Sequence, residues 1–198
     1  MTDRPAGMRD EFGQVVAAKR EGPILSYTKK ARDLEGLVQQ VAAWRVENPQ
    51  AIIGITSGAF DLVHPGHSSF FNDAKANCDH LIVIVASDRT IRELKGEEKP
   101  YVHELKRTGE VASDESVDAV IISDEFAHET ILQAIHANIL FKGDDYFGTK
   151  VHGSEYVDLV MLIPCAEKEF YSSSAFVRKI KEGDPDVAPD WAPPAPPR

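Results

Sequence analysis

Apolar residues along this chain follow two rhythms. Between 31 and 47, Leu34, Leu37, Val38, Val41 and Trp44 recur every three or four positions, which predicts an amphipathic helix. The run Asn48, Pro49, Gln50 stops it. Five other stretches are short, nearly unbroken apolar runs rich in β-branched residues: 51–58 (AIIGITSG), 80–88 (HLIVIVASD), 119–123 (AVIIS), 137–143 (ANILFKG) and 156–164 (YVDLVMLIP). Each predicts a strand, and uniform apolarity fits strands covered on both faces. Helical segments are predicted between them, at 65–77, 104–114 and 126–136, with a last one at 173–182. Pro65 suits the first turn of its helix because it has no amide hydrogen to leave unpaired, and Phe70, Phe71 and Ala74 would face the sheet. Strands alternating with helices predict an α/β fold: one domain over 31–183, built on a doubly wound parallel sheet of about five strands.

The ends read differently. Residues 1–30 are mixed in charge and aperiodic, and are expected to form a loosely held arm. Residues 184–198 hold six of the twelve prolines and predict an extended, disordered tail.

Composition narrows the function class. The chain has 198 residues, 42% hydrophobic and 27% charged, enough to fill one ordinary core and stay soluble. A net charge of −10 argues against a nucleic-acid backbone binder. The two cysteines, Cys78 and Cys165, lie far apart in no CxxC spacing, which favours a reducing cytoplasm over a zinc site or disulfide framework. The N-terminus is too charged for a signal peptide, and the apolar runs are too short to span a membrane.

The candidate chemistry sits at 58–67, GAFDLVHPGH. In a wound parallel sheet, ligands bind beyond the carboxyl ends of the strands, where loops lead into helices. Gly58 permits close backbone approach there, and Pro65 and Gly66 fix where the helix starts. His64 and His67 would then flank a helix N-terminus, whose amides and dipole attract anions. Two imidazoles in that place suit a phosphate whose charge shifts in a transition state. Taken singly, each histidine reads as a surface loop residue or as a fragment of a metal site. Neither the HExxH nor the zinc-finger spacing is present, and no nearby third ligand completes a metal site.

The full string resembles the GxFDxxHxGH motif of the cytidylyltransferase-like nucleotidyltransferases, and the likeness runs from about Leu34 to Ile180. The segments SDRTIRELKGEEKP, SVDAVI and FKGDDY are similar to the adenylyltransferase domain of ADP-heptose synthases. GAFDLVHPGH, AKANCD and GDD are similar to glycerol-3-phosphate cytidylyltransferase, and FDLVHPGH with LIVIVASD to archaeal-type FAD synthetases. The resemblance implies a Rossmann-like fold and transfer of a nucleotidyl group from an NTP to a small phosphorylated acceptor, with release of pyrophosphate. ATP with a heptose 1-phosphate is favoured over CTP with glycerol 3-phosphate, and FMN is the third acceptor. It implies Mg²⁺ bound through the NTP phosphates rather than by a protein metal site, and a homodimer, the common assembly in the family.

At matching positions it implies that His64, His67 and Lys75 act catalytically on the phosphates. Alone, Lys75 reads as a solvated helix residue. Nucleotide binding is implied for Gly58, Ala59, Phe60 and Asp61 in the motif, and for Ser87 and Asp88 after the next strand. Arg107 would grip the nucleotide phosphates, although the acidic residue usual two positions earlier is Leu105 here, with Glu104 as a substitute from the neighbouring turn. Lys142, Gly143, Asp144 and Asp145 would lie against base and ribose; Gly and Asp also favour plain turns. Ser172, Ser173 and Ser174 would cap the last helix and present hydroxyls to the β- and γ-phosphates. Glu167 stands where cytidylyltransferases often carry an arginine. Leu105 and Glu167 together favour a different class of function, a catalytically weak nucleotide-binding sensor.

Overall fold

In the computed structural model, which describes residues 29–164, six strands make one sheet. They are β1 (Ala31–Arg32), β2 (Ile53–Gly58), β3 (His80–Ala86), β4 (Ala119–Ser123), β5 (Ile139–Gly143) and β6 (Leu159–Ile163). Their order is β1-β4-β3-β2-β5-β6, and every neighbouring pair is parallel. Five α-helices accompany them: α1 (Leu34–Glu47), α2 (Pro65–Lys75), α3 (Asp88–Lys95), α4 (Glu104–Ala112) and α5 (Glu129–Ile135).

Alternation along each strand divides the core between two faces. Ile53, Ile55, Ile82 and Ile84 pack with Leu37, Val41 and Trp44 of α1 and with Ile131, Leu132 and Ile135 of α5. Leu81, Val83, Val85 and Phe141 pack on the other face with Phe71 and Ala74 of α2 and Val111 and Ala112 of α4. Burial on both faces is why these strands read as continuous apolar runs.

The sheet has six strands where the sequence pattern predicts about five. The additional one, β1, pairs Ala31 with Val120 and Arg32 with Ile121 at the sheet edge. Two residues are too few to show a period, so they read as the start of the following helix. That helix begins instead at Leu34, capped by the Asp33 side chain, which accepts from the Gly36 N–H at 2.8 Å. The predicted strand 80–88 ends at Ala86, and Ser87 caps a helix, α3, that the pattern did not predict. Of its eight residues only Ile91 and Leu94 are large and apolar, too few to register as a periodic face. A 3₁₀ turn over Ser154–Tyr156 shortens the last predicted strand to Leu159–Ile163. The predicted helix at 173–182, the tail 184–198 and all but the end of the arm 1–30 lie outside the described residues.

From β2 the chain winds outward through β3 and β4, then crosses back to β5 on the other side of β2. A crevice therefore opens between the carboxyl ends of β2 and β5, where wound sheets bind ligands. Gly54 leaves room for the side chains that pack over it: a Cβ there would lie 2.5 Å from the Phe141 ring and 2.7 Å from Cys78 Sγ.

Candidate active site

The motif after β2 folds back on the α2/α4 face of the sheet. Phe60 adopts a left-handed backbone (φ 49°), a conformation that costs a non-glycine residue about 1–2 kcal/mol. Its ring turns over Gly58, where an added Cβ would meet it at 3.0 Å. Glycine at 58 thus admits a neighbouring ring of the protein itself. The same ring packs edge-on against His67, centroids 5.3 Å apart.

His64 is the N-cap of α2, Pro65 is its first residue, and His67 follows within the first turn. The two imidazoles overlap at 3.9 Å between centroids, and the His64 backbone N–H donates to His67 Nδ1 at 3.3 Å. A neutral imidazole that accepts at Nδ1 carries its proton on Nε2, so His67 presents a donor away from the helix end. Burial lowers the pKa of both rings. His67 is pushed to about 4, first by desolvation and then by charge on His64. Both are therefore neutral at neutral pH, in place of the near-6.5 titration that unperturbed imidazoles would show. NMR titration of the free protein is expected to give a His67 midpoint near 4 and a His64 midpoint below 6.5; midpoints at or above 6.5 for both would refute this environment. Because the unfolded ring takes its proton near 6.5 and the folded one only near 4, acidification across that window favours unfolding.

Two of the sequence-predicted side chains are elsewhere. Lys75 lies at the far end of α2, about 12 Å along the axis from His67. Its ammonium donates to the Asp79 carbonyl and pairs with Asp118 at 2.6 Å. Asp118 also accepts from Leu81 N–H, which places the pair at the amino ends of β3 and β4, the opposite edge of the sheet from the histidines. The expected phosphate contact of Lys75 is thus corrected to a clamp between helix and strand ends. Arg107 is the second correction. Its side chain is 0% exposed. Its guanidinium donates to the carbonyls of Val102 (2.8 Å), Ala86 (2.8 Å) and Ala59, and pairs with Asp88 at 2.8 Å. It holds the motif loop to the end of β3 from inside and offers no free face to a phosphate.

Asp61, Ser87 and Asp88 also have their side chains engaged within the chain. Asp61 accepts from the N–H groups of Tyr101 and Val102 at 2.7 and 2.9 Å, tying the loop before α4 to the motif. Ser87 donates to Asp124 at 2.6 Å while capping α3. Glu104 accepts from the Asp88 N–H at 2.7 Å, so the acid beside Leu105 serves the start of α3.

On the α1/α5 side of the same sheet edge lies a crevice of about 210 Å³. Its floor is Ser57, Gly58, Ala59 and Lys142, and its walls include Phe126, His128, Tyr146 and His152. Lys142 Nζ donates to Ser57 Oγ at 2.7 Å across the β2/β5 switch and stands 5.3 Å from the Tyr146 ring centroid. Desolvation lowers its pKa to about 8, partly opposed by Asp145. Asp144 and Asp145 start a 3₁₀ turn at the exposed rim, directly after Gly143. A larger hollow of about 520 Å³ lies over the ends of β1 and β4, but it includes none of the motif residues. The sequence reading placed Lys142 and Gly143 at this edge and missed Phe126, His128 and His152. The position of 124–128, just past the end of a parallel strand, was the available signal. Cys165, Glu167 and Ser172–Ser174 lie outside the described residues.

The sequence profile of the cytidylyltransferase-like family matches residues 55–182. This chain belongs to the cytidylyltransferase-like family. It is accordingly a nucleotidyltransferase. The bifunctional protein HldE of Helicobacter pylori (strain HPAG1) is 40% identical over 173 residues, covering 86% of this chain and 36% of the relative. HldE of Caulobacter sp. (strain K31) is 40% identical over 128 residues, 65% of this chain and 26% of the relative. The chain thus spans about a third or less of the length of these curated relatives. Among solved structures, the lipopolysaccharide core biosynthesis protein of Thermoplasma volcanium superposes with a TM-score of 0.49 at 24% identity, over 57% of this chain and 97% of that one.

Proposed function

We propose that this domain transfers the adenylyl group of ATP to a sugar 1-phosphate, with heptose 1-phosphate the favoured acceptor, and releases pyrophosphate. The neutral His64–His67 pair, its rings in contact at a 32° tilt at the start of α2, carries this reading. Similarity to HldE over 86% of the chain supports the sugar-nucleotide direction.

The acceptor's phosphate oxygen is already a competent nucleophile, so no serine or cysteine need take up the adenylyl group in a covalent intermediate. A new bond forms from that oxygen to the α-phosphorus, and the bond to the α,β-bridging oxygen breaks. Pyrophosphate leaves with the electron pair. The protein's task is alignment and charge stabilisation. His67 Nε2–H donates to oxygens that gain charge as the α-phosphoryl group passes between partners. A neutral donor fixed beforehand by the His64 contact needs no reorganisation at that moment. Mg²⁺ is proposed to ride on the NTP phosphates, its usual mode of entry into such sites. No group of three or more His, Cys, Asp or Glu side chains that could hold a metal ion occurs among the described residues.

Cytoplasmic operation, where ATP is available, and a homodimer are parts of the same proposal. Among the described residues no helix is long and apolar enough to cross a membrane. The test is pyrophosphate release from ATP or CTP paired in turn with heptose 1-phosphate, glycerol 3-phosphate and FMN. Release with ATP and heptose 1-phosphate is expected. Release with CTP and glycerol 3-phosphate alone would overturn the substrate choice, and nucleotide binding with no release under any pair would favour the sensor.

A further inference from the structure

Resting on that reading, we propose that Phe60 is a positioning residue of the active site: its ring wedges the end of β2 against the first two turns of α2 and holds the His67 imidazole at the angle from which Nε2–H meets the reacting phosphate. Phe60 keeps a backbone conformation that its side chain makes costly. Its φ is 49°, in the left-handed region where glycine sits without strain. A residue with a Cβ persists there when its surroundings over-determine it, and such strain gathers at functional sites. Here the neighbours on both sides are fixed. The Ala59 carbonyl accepts from the buried Arg107 guanidinium. Asp61 accepts from the Tyr101 N–H at 2.7 Å and the Val102 N–H at 2.9 Å. The chain must turn between these two anchors, and glycine would make the turn more easily. What phenylalanine adds is its ring.

That ring is buried and meets three groups. Its tip faces Gly58 at the end of β2, where an added Cβ would lie 3.0 Å from Phe60 Cζ. Its centroid lies 5.3 Å from that of His67, with the planes at 65°, and 5.5 Å from that of Phe71, with the planes at 49°. Both separations fall in the range of about 4.5–7 Å at which aromatic pairs attract. His67 and Phe71 stand four residues apart in α2, so they share one face of the helix. One ring therefore sets both the seat of α2 on the strand end and the attitude of the imidazole. The backbone alone does this poorly. At 3.3 Å the bond from the His64 N–H to His67 Nδ1 is a weak restraint, and the packing of Phe60 supplies what it lacks. The same cover keeps water from His67, whose pKa of about 4 is due first to burial and then to charge on His64.

The test uses the full chain with Phe60→Leu, which keeps an apolar side chain without the flat ring, and Phe60→Gly, which removes the ring and relieves the backbone. Tyrosine is no conservative substitute, since its hydroxyl would extend from Cζ into Gly58. The His67 midpoint is followed by NMR, kcat is measured with ATP and heptose 1-phosphate, and the ATP Kd is measured by calorimetry without acceptor. In both variants the midpoint is expected to rise from near 4 to above about 5, as water reaches the imidazole. Turnover is expected to fall at least about tenfold through misalignment, with the ATP Kd within about threefold of the wild type. Phe60→Gly should do no better than Phe60→Leu, which separates the role of the ring from that of the turn. A midpoint that stays near 4 in both variants overturns the proposal, as does turnover close to wild type or an ATP Kd weakened as much as kcat. Where one variant fails to fold, the other decides by the same readings. The wild type gives a reading that needs no variant: nuclear Overhauser contacts between the Phe60 and His67 rings are expected, and their absence overturns the proposal. Should the wild type release no pyrophosphate, the proposed reaction fails on its own. The positioning role then stands if the His67 midpoint rises in both variants, and falls if it does not move.

Discussion

Alanine in place of His64 or His67 is expected to lower kcat by about a hundredfold or more, the usual loss when one preorganised donor to developing charge is removed. The structure gives reasons for treating the pair as a unit. The ring centroids lie 3.9 Å apart, so each imidazole shields and orients the other. Losing either ring leaves its partner more mobile and better hydrated, so the double variant should be little worse than the worse single one. The effect should fall on kcat more than on the KM for ATP, because the contact strengthens as charge moves onto the α-phosphoryl oxygens. Steady-state kinetics on the three variants checks this. Turnover within threefold of wild type in both single variants would remove the histidines from the chemistry.

Arg107→Met is expected to destabilise the fold by about 3–5 kcal/mol, the range for breaking a buried charge pair by removing one partner. Arg107 is wholly buried, and its donors link Ala59 in the motif loop, Ala86 at the end of β3 and Val102 before α4, with Asp88 as its counter-charge. Methionine fills much of the volume but leaves Asp88 and three carbonyls without these partners. Urea unfolding of the variant should show the loss as a lower midpoint. A midpoint within error of the wild type would mean that water or side-chain rearrangement replaces the guanidinium, and the internal-clamp assignment would fail. Because Ala59 lies in the motif loop that carries His64 and His67, whatever variant remains folded should also lose turnover.

The comparison of sequence with structure turns on particular residues. Ile82, Ile84, Leu81, Val83 and Val85 form an unbroken apolar run because one alternate set packs under α1 and α5 and the other under α2 and α4. That double burial is legible in composition alone, and so the parallel sheet is legible too. β1 is not, because two residues carry no period, and only the pairing of Ala31 with Val120 makes them a strand. Lys75 shows the limit for site residues. Its place in the chain behind the histidines fits a phosphate ligand, yet eleven residues of helix carry it to the other edge of the sheet, where Asp118 receives it.

By itself the sequence determined the chemistry-bearing string, the helix start at Pro65 and the class of sheet, since each depends on contacts between near neighbours or on local periodicity. Only the tertiary structure decided that Arg107 points inward, that Lys142 reaches across to Ser57, and that His128 and His152 meet at the same crevice. Ser57, His128, Lys142 and His152 come from different βα loops and strand ends, and what brings them together is the crossing of the chain from β4 to β5, a long-range event that no local pattern encodes.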